Sequence, residues 1–560
     1  MERAERKLTM HSETEEATTA DRQAELRALL SKRLHFMGIG GQGISALARL
    51  AQASGATVSG CDRASSATTR ELAAAGIDVT IGHSAQHLQG QEALVITPAV
   101  PALEPDHQEL VAAQRQGLPV VTWQELLGAL TRDYCLLSVC GVHGKGTTTS
   151  LLALMLVEGG FDPTCVIGAV VPAFGANYRL GKSHLFVNEA DEFNHNFWHY
   201  HPRLAVVTSI EYEHPEFFAD YETFLQAFTH FIQGMDLSER WSLPPTLVMN
   251  ADSPGCLELR ARLGHWSGRT LFYSVAVEAM REKAEQLTSI TVKGESPLLF
   301  EAHDLALEGE TSFRVRLHAE GSRGITGGIT GGITGGTTGG TTSQVRPLFG
   351  GEKIALHVPG LHNVQNALGA IAAAQSLGVS EEAIRRALEG FRGSRRRFEI
   401  RHQGPLPLGG RTCDVILIDD YAHHPTAIAA TLAAARQRYP QRRLIAVYQP
   451  HMYSRTKVFF EQFVEAFDEA DVVVISDIFP ARERDTGLVH ARDLAAALAQ
   501  RPRFREGEGQ VLYGGDRAQT EAELRALLRD GDLALIMGAG DIYIVTNQLL
   551  GEGGQSHHQG

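Results

Sequence analysis

Tyr134–Ser150 reads YCLLSVCGVHGKGTTTS, and the fold is decided there. The apolar run Leu136–Cys140 has the character of a buried strand. Gly141-Val142-His143-Gly144-Lys145 turns the chain, and Gly146-Thr147-Thr148-Thr149-Ser150 opens a helix whose body is LLALMLVEGG. Strand, glycine turn, lysine and hydroxyls at a helix start make a phosphate cradle. Glycines let backbone N–H groups approach phosphate oxygens, and the unpaired N–H groups and dipole of the helix start favour anions. In that reading Lys145 reaches the β/γ-phosphates and a threonine hydroxyl ligates Mg²⁺. The spacing departs from the usual pattern. Two residues, not four, separate Gly141 from Gly144, and Gly146 stands between Lys145 and Thr147.

Upstream, RLHFMGIGGQGISALARLAQASGATVSGCD reads as strand, turn, helix and second strand. Gly38-x-Gly40-x-x-Gly43 fits GxGxxG, and Asp62 closes the second strand. That pattern is the dinucleotide fingerprint with its ribose-binding acid, so a nicotinamide enzyme competes here. The fingerprint demands only a diphosphate on a helix N-terminus, which a nucleotide-sugar diphosphate also satisfies. Gly82-His83, the strand ALVITPAV and the stretch VVTWQELLGAL, which leads into the phosphate loop, complete a first unit over 33–133. Alternating strands and helices imply a parallel sheet.

The second unit is expected over 134–395. In LFVNEADEFNHNF a buried strand delivers Glu189, Asp191 and Glu192 at its C-terminal end, where ligands bind in a doubly wound sheet. A carboxylate emerging there beside the phosphate loop is a candidate Mg²⁺ ligand, or else part of a solvated acidic turn. LAVVTSI ends in Glu211-Tyr212-Glu213-His214, and His214 is a candidate ligand of a second ion or, taken alone, a surface histidine. His362, Asn363 and Asn366 open an Ala-rich helix, where amides can meet an adenine edge or simply cap the helix. The Gly/Thr-rich repeat at 324–342 buries nothing and reads as a flexible loop between the strands FRVRLHA and KIALHVP.

The third unit, 396–549, repeats strand, polar loop and helix. Asp419, Asp420, His423 and His424 lie at one strand end, and His451 and Arg455 at the next. Asp477, Arg482 and Glu483 follow at a third, and Gly538, Gly540 and Asp541 at a fourth. Four polar strand ends on one edge suggest a ligand-binding rim.

The 560 residues carry 51 Lys+Arg against 65 Asp+Glu, a net charge of −14, which argues against a nucleic-acid partner. Six scattered cysteines without a CxxC pair fit a reduced, cytoplasmic protein. No apolar run reaches the roughly 18 residues of a membrane span. The termini, 1–32 and 550–560, read as tails, the first with AELRALLSKR as a short helix.

These motifs resemble the Mur ligases, specifically the UDP-N-acetylmuramate–L-alanine ligase family. They are GIGGQGIS (38–45), GVHGKGTTTS (141–150), EADE (189–192), IEYEH (210–214), HNVQN (362–366), RRRFE (395–399), DDYAHHPT (419–426), QPHMYSRT (449–456), DIFPARE (477–483) and GAGDI (538–542). They stand in the family's order over 33–545. The resemblance implies an α/β protein of three domains: a Rossmann-like N-terminal domain, a central P-loop ATPase-like domain and a Rossmann-like C-terminal domain. It implies ATP-dependent joining of L-alanine to UDP-N-acetylmuramate through an acyl phosphate, in peptidoglycan precursor synthesis, by a monomer or homodimer.

By resemblance, Gly141, Val142, His143, Gly144, Lys145, Gly146, Thr147 and Thr148 hold the ATP phosphates, with Thr147 or a neighbouring threonine on a first Mg²⁺. Glu189 and His214 hold a second. His362, Asn363 and Asn366 lie near ATP, and Arg396 or a neighbouring arginine touches its phosphates across the domain junction. Gly38, Gly40, Gly41, Gly43, Ser45, Asp62 and His83 hold the uridine diphosphate sugar. His423, His424 and Arg455 hold the amino acid, Arg455 pairing its carboxylate. Four positions depart from the family's pattern: Gly146 for Thr, Ser209 for Asn, Glu213 for Asp and Ala427 for Glu. A tripeptide-recycling UDP-N-acetylmuramate ligase and a catalytically silent ATP-binding homologue are the alternatives.

Overall fold

Three sheets follow one another along the chain. The computed structural model describes residues 21–98, 100, 101, 104–275, 298–319, 344–485 and 487–552. In the first sheet β1 (Arg33–Met37), β2 (Thr57–Asp62), β3 (Asp78–Ile81), β4 (Ala93–Ile96) and β5 (Val120–Thr122) pair in the order β3-β2-β1-β4-β5, all parallel. The order reverses between β1 and β4, which opens a crevice at the carboxyl ends of the strands.

A first helix, α1 at residues 21–29, precedes this sheet. Leu26, Leu29 and Leu30 recur at helical spacing, and Leu26 is buried in the adjoining core. The expected tail of 1–32 is therefore ordered from residue 21; residues 1–20 and 553–560 lie outside the described residues. The first domain is fastened to the second by α2 (Gln42–Ala53) and α3 (Trp123–Thr131). The carbonyl of Gln42 accepts from Asn177 Nδ2 at 2.8 Å, and a Cβ on Gly128 of α3 would lie 2.6 Å from the His199 carbonyl.

Among the described residues the central sheet has eleven strands. They are β6 (Cys135–Cys140), β7 (Thr164–Val171), β8 (Ala176–Arg179), β9 (Leu185–Glu189), β10 (Leu204–Val207), β11 (Thr246–Asn250), β12 (Arg269–Val275), β13 (Leu298–Ala306), β14 (Thr311–Ala319), β15 (Gln344–Pro347) and β16 (Ile354–Leu356). The order is β15-β14-β13-β12-β11-β10-β6-β9-β7-β8, with β16 beside β14. From β13 to β7 the strands are parallel, and β6 is buried at all six residues, as the middle of a sheet covered on both faces requires.

The repeat at 324–342 lies outside the described residues. The chain leaves β14 at Ala319 and returns on β15 at Gln344, which are register partners in an antiparallel pair. Deleting 325–340 is therefore expected to leave ligation within about twofold of the full chain, because a shorter connection still joins neighbouring ends. Phosphate release by the deletion variant checks this, and a large loss would make the repeat more than a spacer.

The third sheet joins β17 (Glu399–Pro407), β18 (Thr412–Asp420), β19 (Arg443–Tyr448), β20 (Val472–Ser476), β21 (Gln510–Gly515) and β22 (Asp532–Met537) in the order β17-β18-β22-β19-β20-β21. Only β17 is antiparallel. The polar ends of β18, β19, β20 and β22 thus share one edge. All six cysteines are buried and free, and no helix among the described residues is long and apolar enough to cross a membrane.

Burial also sets an acid limit. It lowers His201 and His362 to about 4 and His451 to about 3, since it penalises the imidazolium. A depressed folded-state pKa gives stability that is present above the unfolded value, near 6.5, and is lost as pH falls through the folded value. Burial raises Asp419 to about 6, and that contribution runs the other way, so it offsets part of the loss. Unfolding temperature is expected to fall between pH 6.5 and 4, with each histidine costing at most about 1.4 kcal/mol per pH unit. Thermal unfolding across that range tests it; a constant midpoint down to pH 4.5 would contradict it.

Candidate active site

The phosphate loop leaves β6 at Cys140 and enters helix α4 (Lys145–Glu158) through two glycines at positive φ, Gly141 at 122° and Gly144 at 79°. A Cβ on Gly141 would lie 2.3 Å from Thr208 Oγ1, and one on Gly144 2.0 Å from Asn366 Oδ1, so no side chain fits either position. The end of β10 braces the loop: Ser209 Oγ accepts from the His143 N–H at 3.0 Å and its carbonyl from the Val142 N–H at 3.0 Å. Gly144 offers α4 no side-chain cap, so the first N–H groups of the helix open toward the cleft.

Lys145 extends into the carboxylates that β9 delivers. Its Nζ donates to Glu192 Oε2 at 2.8 Å and Oε1 at 3.1 Å. Burial would lower the Lys145 pKa, but Glu192, Asp191 and Glu189 outweigh it and hold the amine a cation. Burial pushes Glu192 upward, and Lys145 offsets that only in part. Thr147 lines the cleft with no hydrogen bond to its hydroxyl among the described residues, whereas the Thr148 hydroxyl faces Asn366 Oδ1 at 3.4 Å. Of the two expected threonines, only Thr147 lines the cleft.

Glu189 and His214, expected to share an ion, each have neighbours of their own. Glu189 accepts from the Gly168 N–H at 2.8 Å, and Gly146 gives it room: a Cβ there would lie 3.3 Å from Glu189 Oε2. His214, at φ 57°, gathers with Asp191 and Glu192, a donor atom of each within 4.8 Å of the others. Burial lowers the His214 pKa, but Glu216, bonded to Nδ1 at 3.0 Å, together with Glu213, Glu192 and Asp191, raises it overall.

At the start of helix α5 (Leu361–Ser376), Asn363 Nδ2 donates back to the Pro359 carbonyl at 2.7 Å, so it does not cap the helix. Asn366 Nδ2 donates to Asn363 Oδ1 at 3.2 Å. In the first domain Gly38 turns at φ 71°, and the Gly40 N–H donates to Asp62 Oδ2 at 2.8 Å. Asp62 therefore closes the glycine turn as well as facing the cleft. Gly43 packs against Trp123, where a Cβ would lie 2.6 Å from the ring, and Ser45 Oγ donates to the Gln42 carbonyl at 2.8 Å. His83 faces the cleft with Nδ1 3.2 Å from Cys61 Sγ.

In the third domain His424 precedes helix α6 (Pro425–Arg438), and its Nδ1 accepts from the Thr426 N–H at 3.4 Å. Burial lowers its pKa, so the ring is neutral, and that tautomer leaves Nε2–H as a donor. His423 Nδ1 lies 2.9 Å from the Tyr421 carbonyl. Arg396 is held within its own domain: one terminal nitrogen donates to the carbonyls of Gly538 at 2.6 Å and Gly540 at 3.1 Å, and the guanidinium lies over the rings of Tyr421 and Tyr543. Arg455 is committed to the central domain, with Nε 2.9 Å and a terminal nitrogen 2.8 Å from Glu213 Oε1.

One cleft of about 2240 Å³ runs between the three domains. All the expected site residues line it except Gly43, Gly141, Thr148 and Arg455. Three roles went unassigned in the sequence. Glu192 is the Lys145 partner. Glu211 joins His143 and the Thr426 hydroxyl, the latter at 2.9 Å. Glu216 accepts from Arg482 at 2.7 Å. For Glu211 and Glu216 the signal was the density of acids in IEYEHPE, more than a solvated turn needs.

A phosphate loop facing two nucleotide-fold rims across one cleft defines a ligase of the Mur type, and the chain belongs to the Mur ligase family. It matches the Mur ligase family catalytic domain over 33–135, the Mur ligase middle domain over 139–319 and the Mur ligase glutamate ligase domain over 396–540. The UDP-N-acetylmuramate–L-alanine ligase of Dechloromonas aromatica (strain RCB) is 36% identical over 519 residues, 92% of this chain and 98% of the relative. The enzyme of the same name from Bordetella petrii is 36% identical over 93% of this chain and 98% of its own. The crystal structure of the UDP-N-acetylmuramate-alanine ligase of Thermotoga maritima superposes with a TM-score of 0.67 at 23% identity, covering 93% of this chain and 99% of that one, which shows the shared fold.

Proposed function

We propose that this protein joins L-alanine to UDP-N-acetylmuramate with conversion of ATP to ADP and phosphate, in the cytoplasm, as a step of peptidoglycan precursor synthesis. The observation that carries the reading is the single cleft, which sets the phosphate loop opposite both the glycine turn of the first domain and the polar rim of the third.

A carboxylate is a poor electrophile. The γ-phosphoryl passes to the muramyl carboxylate oxygen with loss of ADP, the alanine amine attacks the acyl carbon, and the tetrahedral intermediate expels phosphate. Positioning and charge neutralisation supply most of the catalysis. On entry of ATP, Lys145 exchanges Glu192 for β/γ-phosphate oxygens, which frees Glu192 beside Asp191 and His214. These groups and the unpartnered Thr147 hydroxyl are a hard, oxygen-rich donor set that fits Mg²⁺. Thr147, Asp191, Glu192 and His214 would hold the ion, with Glu189 as the resemblance implies, and Mg²⁺ would supply neutralisation of the phosphate charge. His362, Asn363 and Asn366 border the nucleotide side of the cleft, and Arg396 or its neighbour Arg397, both on the cleft wall, would reach phosphate. The Nε2–H of His424 is a donor for the amino-acid carboxylate. Domain closure keeps water from the acyl phosphate.

The test is phosphate release from ATP with UDP-N-acetylmuramate, Mg²⁺ and each amino acid in turn, the recycling tripeptide included. Release dependent on both the sugar nucleotide and L-alanine is expected. Release with the tripeptide alone would move the chain to the recycling reaction, and ATP binding without release to a silent homologue.

A further inference from the structure

Four metal-binding side chains meet inside the first domain, and none of them lines the cleft. His35 stands on β1 beside Ser59 of β2, and Cys61, two residues on, shares that face of the sheet. His87 comes from the short turn Ala85–Leu88 and Glu109 from the first turn of the helix Gln108–Gln116. A donor atom of each lies within 4.8 Å of one from every other. His35 is 2% exposed, Cys61 0% and Glu109 0%. Leu88, Leu94, Ile96 and Ala113 pack beside Cys61 in the same small core, while His87 is partly exposed and the cleft-lining His83 stands at the edge of the group, its Nδ1 3.2 Å from Cys61 Sγ and 3.6 Å from Glu109.

Two features set this cluster apart from an ordinary polar core. Glu109 is fully buried, yet among the described residues no lysine or arginine pairs with it. Its acidic oxygens are met by the Ser84 N–H at 2.9 Å, His87 Nδ1 at 2.8 Å and the Cys61 thiol at 3.2 and 3.3 Å. The second feature is His35. Its Nδ1 lies 2.9 Å from Ser59 Oγ, and its Nε2 is buried with no partner. A buried imidazole nitrogen without a partner is costly unless something binds it.

We propose that His35, Cys61, His87 and Glu109 form a closed tetrahedral site for a zinc ion. Two imidazoles, a thiolate and a carboxylate are the ligand types that zinc takes in closed sites. Bonds of roughly 2.0–2.3 Å set tetrahedral donors roughly 3.3–3.8 Å apart, a small contraction from the spacing seen. Charge closes: Zn²⁺ with Cys61 thiolate, Glu109 carboxylate and two neutral imidazoles sums to zero in a buried place. Ser59 holds the Nδ1–H of His35 and so turns the Nε2 lone pair inward, as partners of metal-binding histidines do. Binding releases one proton, from the Cys61 thiol, so affinity rises with pH. The ion would tie β1, β2 and the turn at 84–87 together directly behind Asp62 and His83, which face the cleft.

The full-length chain, purified without a metal-binding tag, is expected to keep about one equivalent of zinc through gel filtration by elemental analysis. After stripping and loading with Co²⁺ it should show tetrahedral visible bands and a near-ultraviolet thiolate-to-cobalt band, releasing one proton per ion. Cys61→Ser should lose the near-ultraviolet band, Cys413→Ser should keep it, and His35→Asn should weaken Co²⁺ binding at least tenfold. The carboxylates around His214 offer no thiol, so cobalt bound there gives no such band. No retained zinc together with no thiolate band in the unaltered chain would overturn the proposal, as would a band that persists in Cys61→Ser. Should Cys61→Ser fail to fold, the spectrum and proton count of the unaltered chain decide.

Discussion

Lys145→Ala is expected to lower ATP-dependent ligation by about 10³-fold or more, the scale on which a cation placed on a transferring phosphoryl group acts. Two observations make the effect large. Lys145 opens α4 at a turn where Gly141 and Gly144 admit no side chain, so no neighbouring residue can be recruited to the place. Its amine is held a cation by surrounding carboxylates, so it meets phosphate fully charged. The fold should survive. The variant leaves Glu192 buried without its closest cation, but burial already pushes that carboxyl upward, and it can take up a proton instead of remaining a bare charge. Thermal unfolding near that of the unaltered chain, with phosphate release lost, is the expected pair of results. Turnover within tenfold of normal would remove Lys145 from the phosphate site. Glu192→Gln separates the two roles of the pair: it frees Lys145 from its resting partner, so loss of activity there reports on Glu192 beside Asp191 and His214.

Residue types at strand ends were legible in the sequence, because backbone geometry dictates them. Gly38, Gly141 and Gly144 are required by positive φ or by atoms that leave no room for a Cβ, and such positions announce themselves as glycine. The buried runs of β6 and β9 and the polar rim of the third sheet follow from hydrophobic patterning and from parallel topology. Pairings were not legible. Lys145 finds Glu192 across 47 positions and Arg455 finds Glu213 across 242, and nothing local specifies either. Glu189 and His214 read as partners only through the family resemblance, and the contacts each makes were not legible. The Gly168 N–H takes the first and the Asp191–Glu192 pair takes the second. Asp62 read as a ribose ligand, and the sequence could not show that the same carboxylate closes the Gly40 turn. The zinc-type cluster was invisible for the same reason, since His35, Cys61, His87 and Glu109 come from four separate elements.

Arg455→Ala is expected to have two separable effects, because the structure gives this arginine a partner that resembles its proposed ligand. Glu213 presents a carboxylate to the Arg455 guanidinium, as the amino acid would. Both side chains are almost wholly buried, at 2% and 4% exposure. Burial would raise the Glu213 pKa, but Arg455 first, then His424 and His214, hold it well below the ordinary carboxylate range. Removing the arginine strands that charge at the junction of the second and third domains, which costs about 3–5 kcal/mol. At roughly 2–4 °C per kcal/mol for a domain of this size, the unfolding midpoint should drop by about 10 °C. The alanine KM should rise at least tenfold if the arginine also pairs the substrate carboxylate, the affinity equivalent of about 1.4 kcal/mol. The double variant Arg455→Ala with Glu213→Ala distinguishes the roles. It should recover most of the lost stability, because neither charge is left alone, and recover none of the alanine affinity. Glu213→Gln should lower the alanine KM, since it removes a resident competitor while keeping the shape. A KM for alanine unchanged in Arg455→Ala would make the arginine a strut between domains and leave amino-acid recognition to His424 and its neighbours.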